Sequence, residues 1–167
     1  MPKSSSPSSV KLLIIYTGGT VGMVYDNATG TLHPIGFKAI RENIPEIARL
    51  GFEYQVHAFN PPLDSSNMSP DVWVELSSII EKNYDIYDGF VILHGSDTMA
   101  FTASALSFML ENLGKPVVLT GSQLPIGEIR NDAKENIITA LEIAAAREKG
   151  RALVPEVCIY FDFQLIR

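Results

Sequence analysis

The chain has 167 residues, of which 46% are hydrophobic, enough to bury the core of one globular domain. Its net charge is −6, and its 13 basic residues are spread thinly, without a run of Lys or Arg. Because nucleic acids and anionic membranes are bound through clustered cations, the composition argues against both partners and favours a small-molecule ligand.

The start of the chain is polar and rich in Ser and Pro, so we expect a flexible tail over residues 1–9 and one domain over residues 10–167. The apolar stretch VKLLIIY that follows is too short for a secretory signal. No window approaches the roughly 20 apolar residues of a membrane span. We therefore expect a soluble, cytoplasmic protein. The single cysteine, Cys158, lies in the apolar run VCIYF and is expected to be a buried, reduced thiol.

Apolar runs of strand length alternate along the chain with segments of helical spacing. The spacing predicts strands at 11–16, 53–59, 89–94, 116–120 and 156–161, and helices at 70–83, 98–112 and 131–149, with a shorter helical turn around 37–43. Three of the runs are continuously apolar, which is typical of strands covered on both faces. The alternation predicts an α/β fold with a doubly wound, mainly parallel sheet and helices on both faces, of the Rossmann-like kind. Since the last strand runs into DFQLIR without a closing helix, we expect the natural chain to continue.

Three polar loops follow predicted strands: TGGTVG at 17–22, NPPLDSSNMS at 60–69 and HGSDTM at 94–99. In an open parallel sheet the ligand crevice lies outside the carboxyl ends of the strands, so these loops are the candidates for a site. The first loop does not fit a nucleotide motif. Its glycines are spaced G-G-x-x-G rather than G-x-G-x-x-G, and no lysine follows them as in a P-loop. The next segment, MVYDNATGTLHP, is typical of a β-hairpin or mobile lid over a site.

Hydroxyl chemistry is the alternative. Thr20 and Ser96 lie at separate strand ends, and the carboxylate of Asp97 is next to the second, so one hydroxyl could attack an acyl carbon. The adjacent glycines would let backbone N–H groups approach a developing oxyanion.

Such a hydroxyl needs a base, and the sequence does not offer an obvious one. The three histidines are expected to be packing or surface residues, and two lysines flanking helices are expected to be solvated surface charges. These are His33, His57, His94, Lys115 and Lys134.

Four segments together resemble the L-asparaginases of the bacterial type, in particular the cytoplasmic type I branch. They are YTGGTVGM at 16–23, LDSSNM at 63–68, DGFVILHGSDTMAFTASALSFMLENLGKPVVLTGSQLP at 88–125 and EIRND at 128–132, in the family's order and spacing. The resemblance implies two α/β domains, of which this chain would be the larger, N-terminal one, with the smaller C-terminal domain absent. It also implies an amidohydrolase that converts L-asparagine, and to a variable extent L-glutamine, to the acid and ammonia through a covalent acyl-enzyme. No metal or organic cofactor is implied, and the expected assembly is a homodimer or homotetramer.

The resemblance also assigns site residues. Thr20 would be the nucleophile, and Ser96 and Asp97 would stand at the positions of the second catalytic threonine and its aspartate. Tyr25 would be the lid tyrosine, with Thr31 as an alternative alignment. The expected substrate-binding residues are Gly19, Asp64, Ser65, Ser66 and Gly95.

This chain departs from the family pattern in two ways. The family has HGTDTM where this chain reads HGSDTM, so Ser96 lacks the β-methyl that stiffens the side chain. The family's catalytic lysine would lie a few residues beyond Arg167, so we expect the chain alone to be inactive. A non-catalytic amino-acid-binding or regulatory module therefore remains the alternative function.

Overall fold

A computed structural model describes residues 9–26, 30–34 and 36–167. Along the chain the elements are β1 (Lys11–Gly18), β2 (Met23–Asp26), β3 (Thr31–Pro34), α1 (Phe37–Asn43), β4 (Glu53–Leu63), α2 (Pro70–Asn83), β5 (Gly89–Leu93), α3 (Met99–Met109), β6 (Val117–Thr120), α4 (Ala133–Ala145), β7 (Arg147–Glu148), β8 (Arg151–Ala152), β9 (Val157–Phe161) and β10 (Gln164–Ile166). Short 3-10 turns lie at Thr20–Gly22, Pro45–Arg49, Ser65–Asn67 and Ser96–Thr98.

Six of the strands form one sheet in the order β4-β1-β5-β6-β9-β10. The first five are parallel, and β10 runs antiparallel to β9. From β1 the chain crosses to β4 at one edge and then returns past β1 to β5. Successive crossovers thus leave β1 and β5 in opposite directions, and the carboxyl ends of these two strands flank the point where a parallel sheet opens a ligand crevice.

The strands are buried on both faces because their apolar residues alternate between two cores. Leu12 and Ile14 of β1 pack with α1 and α4, whereas Leu13 and Ile15 pack with α2 and α3. Alternate side chains of a strand point to opposite faces, so a continuous apolar run supplies both layers. This confirms the predicted doubly wound, mainly parallel sheet with helices on both faces.

Several predicted boundaries were wrong. The helix predicted at 131–149 ends at Ala145, and the chain then forms the β7–β8 hairpin. Lys149 and Gly150 at its tip both have positive φ, 50° and 79°, as a two-residue hairpin turn of the I′ type requires. The helix predicted to reach residue 112 ends at Met109.

Strand β10 was not predicted. Asp162 and Phe163 adopt positive φ values of 47° and 60°, which reverses the chain so that residues 164–166 pair with β9. Strand β4 is longer than predicted and includes Pro61 and Pro62. Proline is tolerated there because β4 is an edge strand and one side of it has no ladder partner.

Three single-residue expectations have different outcomes. Cys158 is buried, as predicted, and burial raises the pKa of its thiol to about 11. Lys115 is not a solvated surface charge: its ammonium donates to the carbonyls of Tyr84 and Tyr87 and lies 4.6 Å from the Tyr84 ring centroid. Lys134 is exposed but forms an ion pair with Glu46.

None of the described helices is long and apolar enough to cross a bilayer.

Candidate active site

The loops that follow β1, β4 and β5 touch one another at the carboxyl rim of the sheet. Gly18 and Gly19 have φ values of 134° and 87°, which side-chain-bearing residues rarely adopt. A methyl group on Gly18 would lie 2.2 Å from the carbonyl oxygen of Leu63, at the end of β4. A methyl group on Gly19 would lie 2.6 Å from the backbone nitrogen of Gly95, just after β5. The glycine pair therefore allows close backbone approach between neighbouring strand ends.

Gly95 is pressed from a second side by the loop after β4. A methyl group on Gly95 would lie 2.4 Å from Oγ and 2.5 Å from Cβ of Ser65. The side chain of Ser65 is buried, and its hydroxyl donates a long hydrogen bond of 3.4 Å to Oδ2 of Asp97. The hydroxyl of Thr98 donates to the carbonyl of Ser65 at 2.7 Å. These contacts fix the Ser65 loop against the turn that carries Ser96 and Asp97.

Thr20 and Ser96 are each one residue away from the Gly19–Gly95 contact. Thr20 begins a single 3-10 turn in which the N–H of Gly22 donates to the carbonyl of Gly19 at 3.0 Å. Val21 is fully buried and anchors this turn, while Thr20 itself is half-buried. Ser96 is also half-buried. The structure thus brings the predicted nucleophile and the predicted second hydroxyl to one rim.

The neighbouring acidic residues differ in their surroundings. Asp97 is exposed beside Ser65. Asp64 is exposed as well, and its carboxylate accepts the N–H of Ser66 at 2.9 Å. Hydrogen bonds from the backbone and hydroxyl of Ser66 lower the pKa of Asp64. Asp64 therefore caps its own loop, and the N–H of Ser66 is engaged within the loop.

The predicted hairpin after the first loop is present as β2 and β3. Tyr25 pairs with Leu32 and Thr31 with Asp26, so both candidates for the lid position lie on this hairpin. The side chain of Tyr25 is 52% exposed, and no hydrogen bond between described residues joins it to the three loops. The place of Tyr25 over the loops after β1, β4 and β5 therefore stays a prediction.

Comparison with known proteins decides the family. The model of the asparaginase N-terminal family matches residues 11–167. The chain belongs to the asparaginase family. It is 44% identical over 159 residues to L-asparaginase 1 of Escherichia coli strain K12, covering 93% of this chain and 45% of that protein. It is also 42% identical over 178 residues to the 60 kDa lysophospholipase of Mus musculus, covering 94% of this chain and 31% of that protein.

A solved structure shows the same fold. L-asparaginase I of Vibrio cholerae superimposes with a TM-score of 0.81 at 41% identity, covering 96% of this chain and 47% of that one. The chain thus spans less than half the length of these relatives. The fold is that of the N-terminal asparaginase domain. The domain is shared by proteins whose names state different activities, so the substrate has to be argued from the site.

Behind the rim of this asparaginase domain, His94 is fully buried, in agreement with the expectation of a packing residue. Its Nδ1 lies 2.7 Å from the carbonyl oxygen of Gly95, and its Nε2 lies 2.9 Å from the hydroxyl of Thr102. Burial lowers the pKa of His94 below its ordinary value, so the ring is neutral at neutral pH. His57 is exposed on β4, and the side chain of His33 lies outside the described residues.

The asparaginase segments GSQLP and RND are joined by a clamp that the sequence did not reveal. The carboxylate of Asp132 accepts the N–H groups of Gln123 and Leu124 at 2.8 and 3.0 Å. The side-chain amide of Asn136, which is buried, donates to the carbonyl of Gly121 at 2.9 Å. The short polar residues just before α4 were the available signal, but only the folded chain shows that they hold the loop after β6.

A pocket elsewhere on the domain and the search for metal ligands do not point to a different site. A pocket of about 420 Å³, lined in part by Lys11, Phe52 and Tyr87, opens at the amino end of β1, away from the three polar loops. Parallel sheets bind ligands at the opposite, carboxyl ends. Among residues 9–26, 30–34 and 36–167, no group of three or more His, Cys, Asp or Glu side chains could hold a metal ion.

Proposed function

We propose that the chain supplies the N-terminal part of an L-asparaginase site, which hydrolyses L-asparagine to L-aspartate and ammonia with Thr20 as the nucleophile. One observation carries the proposal: the close approach of the Gly95 backbone to the backbone of Gly19 and to the side chain of Ser65 gathers three hydroxyl-bearing loops at the switch point of the sheet. Membership of the asparaginase family supports the substrate.

The groups at the rim suit the charges of an amino acid that carries a side-chain amide. The exposed carboxylate of Asp97 can pair with the α-ammonium group, and the hydroxyl of Ser65 beside it can donate to the α-carboxylate. Since the N–H of Ser66 is engaged by Asp64, Ser65 is the stronger candidate of the two serines. Asp64 and Ser66 then act by shaping the loop.

The proposed reaction has two steps. The hydroxyl of Thr20 attacks the side-chain amide carbon, a C–O bond forms, the C–N bond breaks, and the nitrogen leaves as ammonia after taking up a proton. Water then attacks the ester, and L-aspartate leaves as the Thr20 hydroxyl is restored. Backbone N–H groups near Gly19 and Gly95 are suited to stabilise the oxyanion, because no Cβ blocks their approach. Neither step needs a metal or an organic cofactor.

We further propose that the chain by itself turns over L-asparagine slowly or not at all, because three candidate bases among the described side chains, His94, Lys115 and Lys134, are engaged elsewhere. Both ring nitrogens of His94 are engaged behind the rim, Lys115 is bound at the amino end of β6, and Lys134 is paired with Glu46. Without a base, the proton of a hydroxyl with an ordinary pKa is not removed.

The test measures ammonia release from L-asparagine for two proteins and their Thr20→Val variants. One is the chain itself, and the other joins it to the remaining C-terminal half of L-asparaginase 1 of Escherichia coli. We expect release only from the longer protein and none from its Thr20→Val variant. Ammonia release that survives Thr20→Val would contradict the role of Thr20.

The alternative is a non-catalytic amino-acid-binding or regulatory module, and the engagement of His94, Lys115 and Lys134 away from Thr20 favours it. Saturable L-asparagine binding by both proteins without ammonia release from either would support that module.

L-Glutamine as a second substrate, a cytoplasmic location and a homodimeric or homotetrameric assembly stay predictions. Phe101 and Phe108, 66% and 86% exposed and two turns apart on α3, offer apolar surface that a second copy could cover.

A further inference from the structure

We propose that His94 is a positioning residue, held in one tautomer by a chain of hydrogen bonds through Thr102 and Trp73, and that it orients the peptide between Gly95 and Ser96. The inference deepens the proposed function, because it names the residue that orients the backbone of Ser96 at the candidate site. It rests on that function only for its effect on ligand binding.

The direction of each hydrogen bond follows from the chemistry of the groups. The carbonyl oxygen of Gly95 can only accept, so Nδ1 of His94, 2.7 Å away, carries the proton. In the neutral ring, Nε2 is then an acceptor, and the hydroxyl of Thr102 at 2.9 Å donates to it. The indole N–H of Trp73 can only donate, and it lies 3.0 Å from the oxygen of that hydroxyl. The chain of donors therefore runs Trp73 to Thr102 to His94 to Gly95 in one direction.

Burial makes this arrangement costly to change. His94 and Thr102 are both 0% exposed, so solvent cannot replace a lost partner on either side chain. A buried acceptor left without a donor costs about 1–3 kcal/mol. The alternative tautomer would set the lone pair of Nδ1 against the carbonyl oxygen of Gly95, and the O–H of Thr102 would lose Nε2 as its acceptor.

The hydrogen bond to Gly95 acts on a torsion that this residue leaves free. Glycine has no Cβ, so its ψ is weakly restrained by its own atoms. In a trans peptide the C=O and the following N–H point in opposite directions. Fixing the Gly95 oxygen towards His94 therefore directs the N–H of Ser96 away from the ring and sets where the Ser96 side chain begins.

This chain of hydrogen bonds also connects three elements to the carboxyl rim of the sheet. Trp73 lies on α2, Thr102 on α3 and His94 at the end of β5. The two helices pack on the same face of the sheet. A shift of α3 is therefore transmitted to the Gly95–Ser96 peptide through two hydrogen bonds, and a shift of α2 through three.

The experiment compares Thr102→Val, which removes the hydroxyl, with Thr102→Ser, which keeps it. Long-range proton–nitrogen NMR reports the tautomer of His94, the backbone amide signal of Ser96 reports the peptide, and calorimetry gives the Kd for L-aspartate. In the wild type and in Thr102→Ser we expect a single Nδ1–H tautomer. In Thr102→Val the Gly95 carbonyl still holds the proton on Nδ1, so we expect the same tautomer with a shifted Nε2 signal, a shifted and broadened Ser96 amide, and about tenfold weaker binding, the worth of roughly one hydrogen bond.

Three results would overturn the proposal: an Nε2–H tautomer in the wild type, an unchanged ring and Ser96 amide in Thr102→Val, or the same changes in Thr102→Ser. If Thr102→Val fails to fold, Trp73→Phe replaces it, and a change in the Ser96 amide in the same direction is expected. If the wild type does not bind L-aspartate, the proposed function fails, while the ring and amide signals still decide the role of His94.

Discussion

Gly95→Ala is expected to separate the two loops that hold the candidate site. The backbone of Gly95, with φ −71° and ψ 144°, accepts alanine without strain. The added methyl group would nevertheless lie 2.5 Å from Cβ of Ser65, whereas ordinary carbon–carbon contacts are about 3.5–4.0 Å. The Ser65 loop must therefore move by about 1 Å. Overpacking of this kind costs about 1–3 kcal/mol of unfolding free energy, and displacing the Ser65 hydroxyl proposed to bind the α-carboxylate weakens L-aspartate binding about tenfold, the worth of roughly one hydrogen bond.

Gly36→Ala is the matched control. Gly36 has nearly the same backbone, with φ −72°, and a methyl group there meets nothing within 4 Å. Since Gly36 is the N-cap of α1, where alanine is less favourable than glycine, we expect its unfolding free energy to fall by no more than about 1 kcal/mol, with an unchanged Kd. Urea unfolding followed by the fluorescence of Trp73, together with calorimetric titration of L-aspartate, measures both effects. Equal stability and equal Kd for the two variants would refute the close packing of Ser65 on Gly95.

Four further outcomes are expected. Ser96→Thr retains or raises the rate of ammonia release by the longer protein, because the added methyl stiffens the side chain; a clear loss of kcat/KM would exclude this side chain from catalysis. Asp132→Ala loses about 1–3 kcal/mol of unfolding free energy, because two loop N–H groups lose their acceptor, whereas Glu142→Ala, at an exposed helix position, changes it by less than about 0.5 kcal/mol. Because burial lowers the pKa of His94, the unfolded chain binds a proton that the folded chain does not, and the free energy of unfolding falls as pH drops below about 6.5. Urea titrations of His94→Gln should show a weaker dependence of that free energy on pH. Cys158, 1% exposed and with its pKa raised to about 11, reacts with an aromatic disulfide reagent at about pH 8 only after unfolding; rapid reaction of the native chain would contradict its burial.

Much of the fold could be predicted from the sequence because the sheet is built from continuous apolar runs. The runs in β1 and β5 have no polar face, so only a position between two helical layers satisfies them. Helix α2 was predicted with its observed bounds, since Pro70 fits the first helical turn and apolar residues follow at helical spacing.

The wrong boundaries arose where one local signal serves two structures. Lys149 and Gly150 have the positive φ that suits both a helix end and a hairpin turn, and only the pairing of β7 with β8 decides between them. At the turn before β10, Phe163 also adopts a positive φ, which a bulky side chain rarely does, so residue type gave no sign of this turn.

The candidate site was predictable as a set of loops but not as a set of contacts. Position after a strand and residue type singled out Thr20, Ser96 and Asp97. The contacts that hold the loops join residues far apart in sequence, such as Trp73 with Thr102, and neither periodicity nor spacing reveals such pairs. The expected place of Tyr25 in the site stays a prediction, because no hydrogen bond between described residues joins it to the other loops.

Nuclear magnetic resonance titration of the chain with L-aspartate examines the proposed site as a whole. If three loops form one binding site, the amide signals of Gly19, Ser65, Ser96 and Asp97 shift together and saturate at a single Kd. Saturable shifts confined to residues at the amino end of the sheet, around Lys11, or shifts of these four signals with different Kd values, would contradict a single site built from those loops.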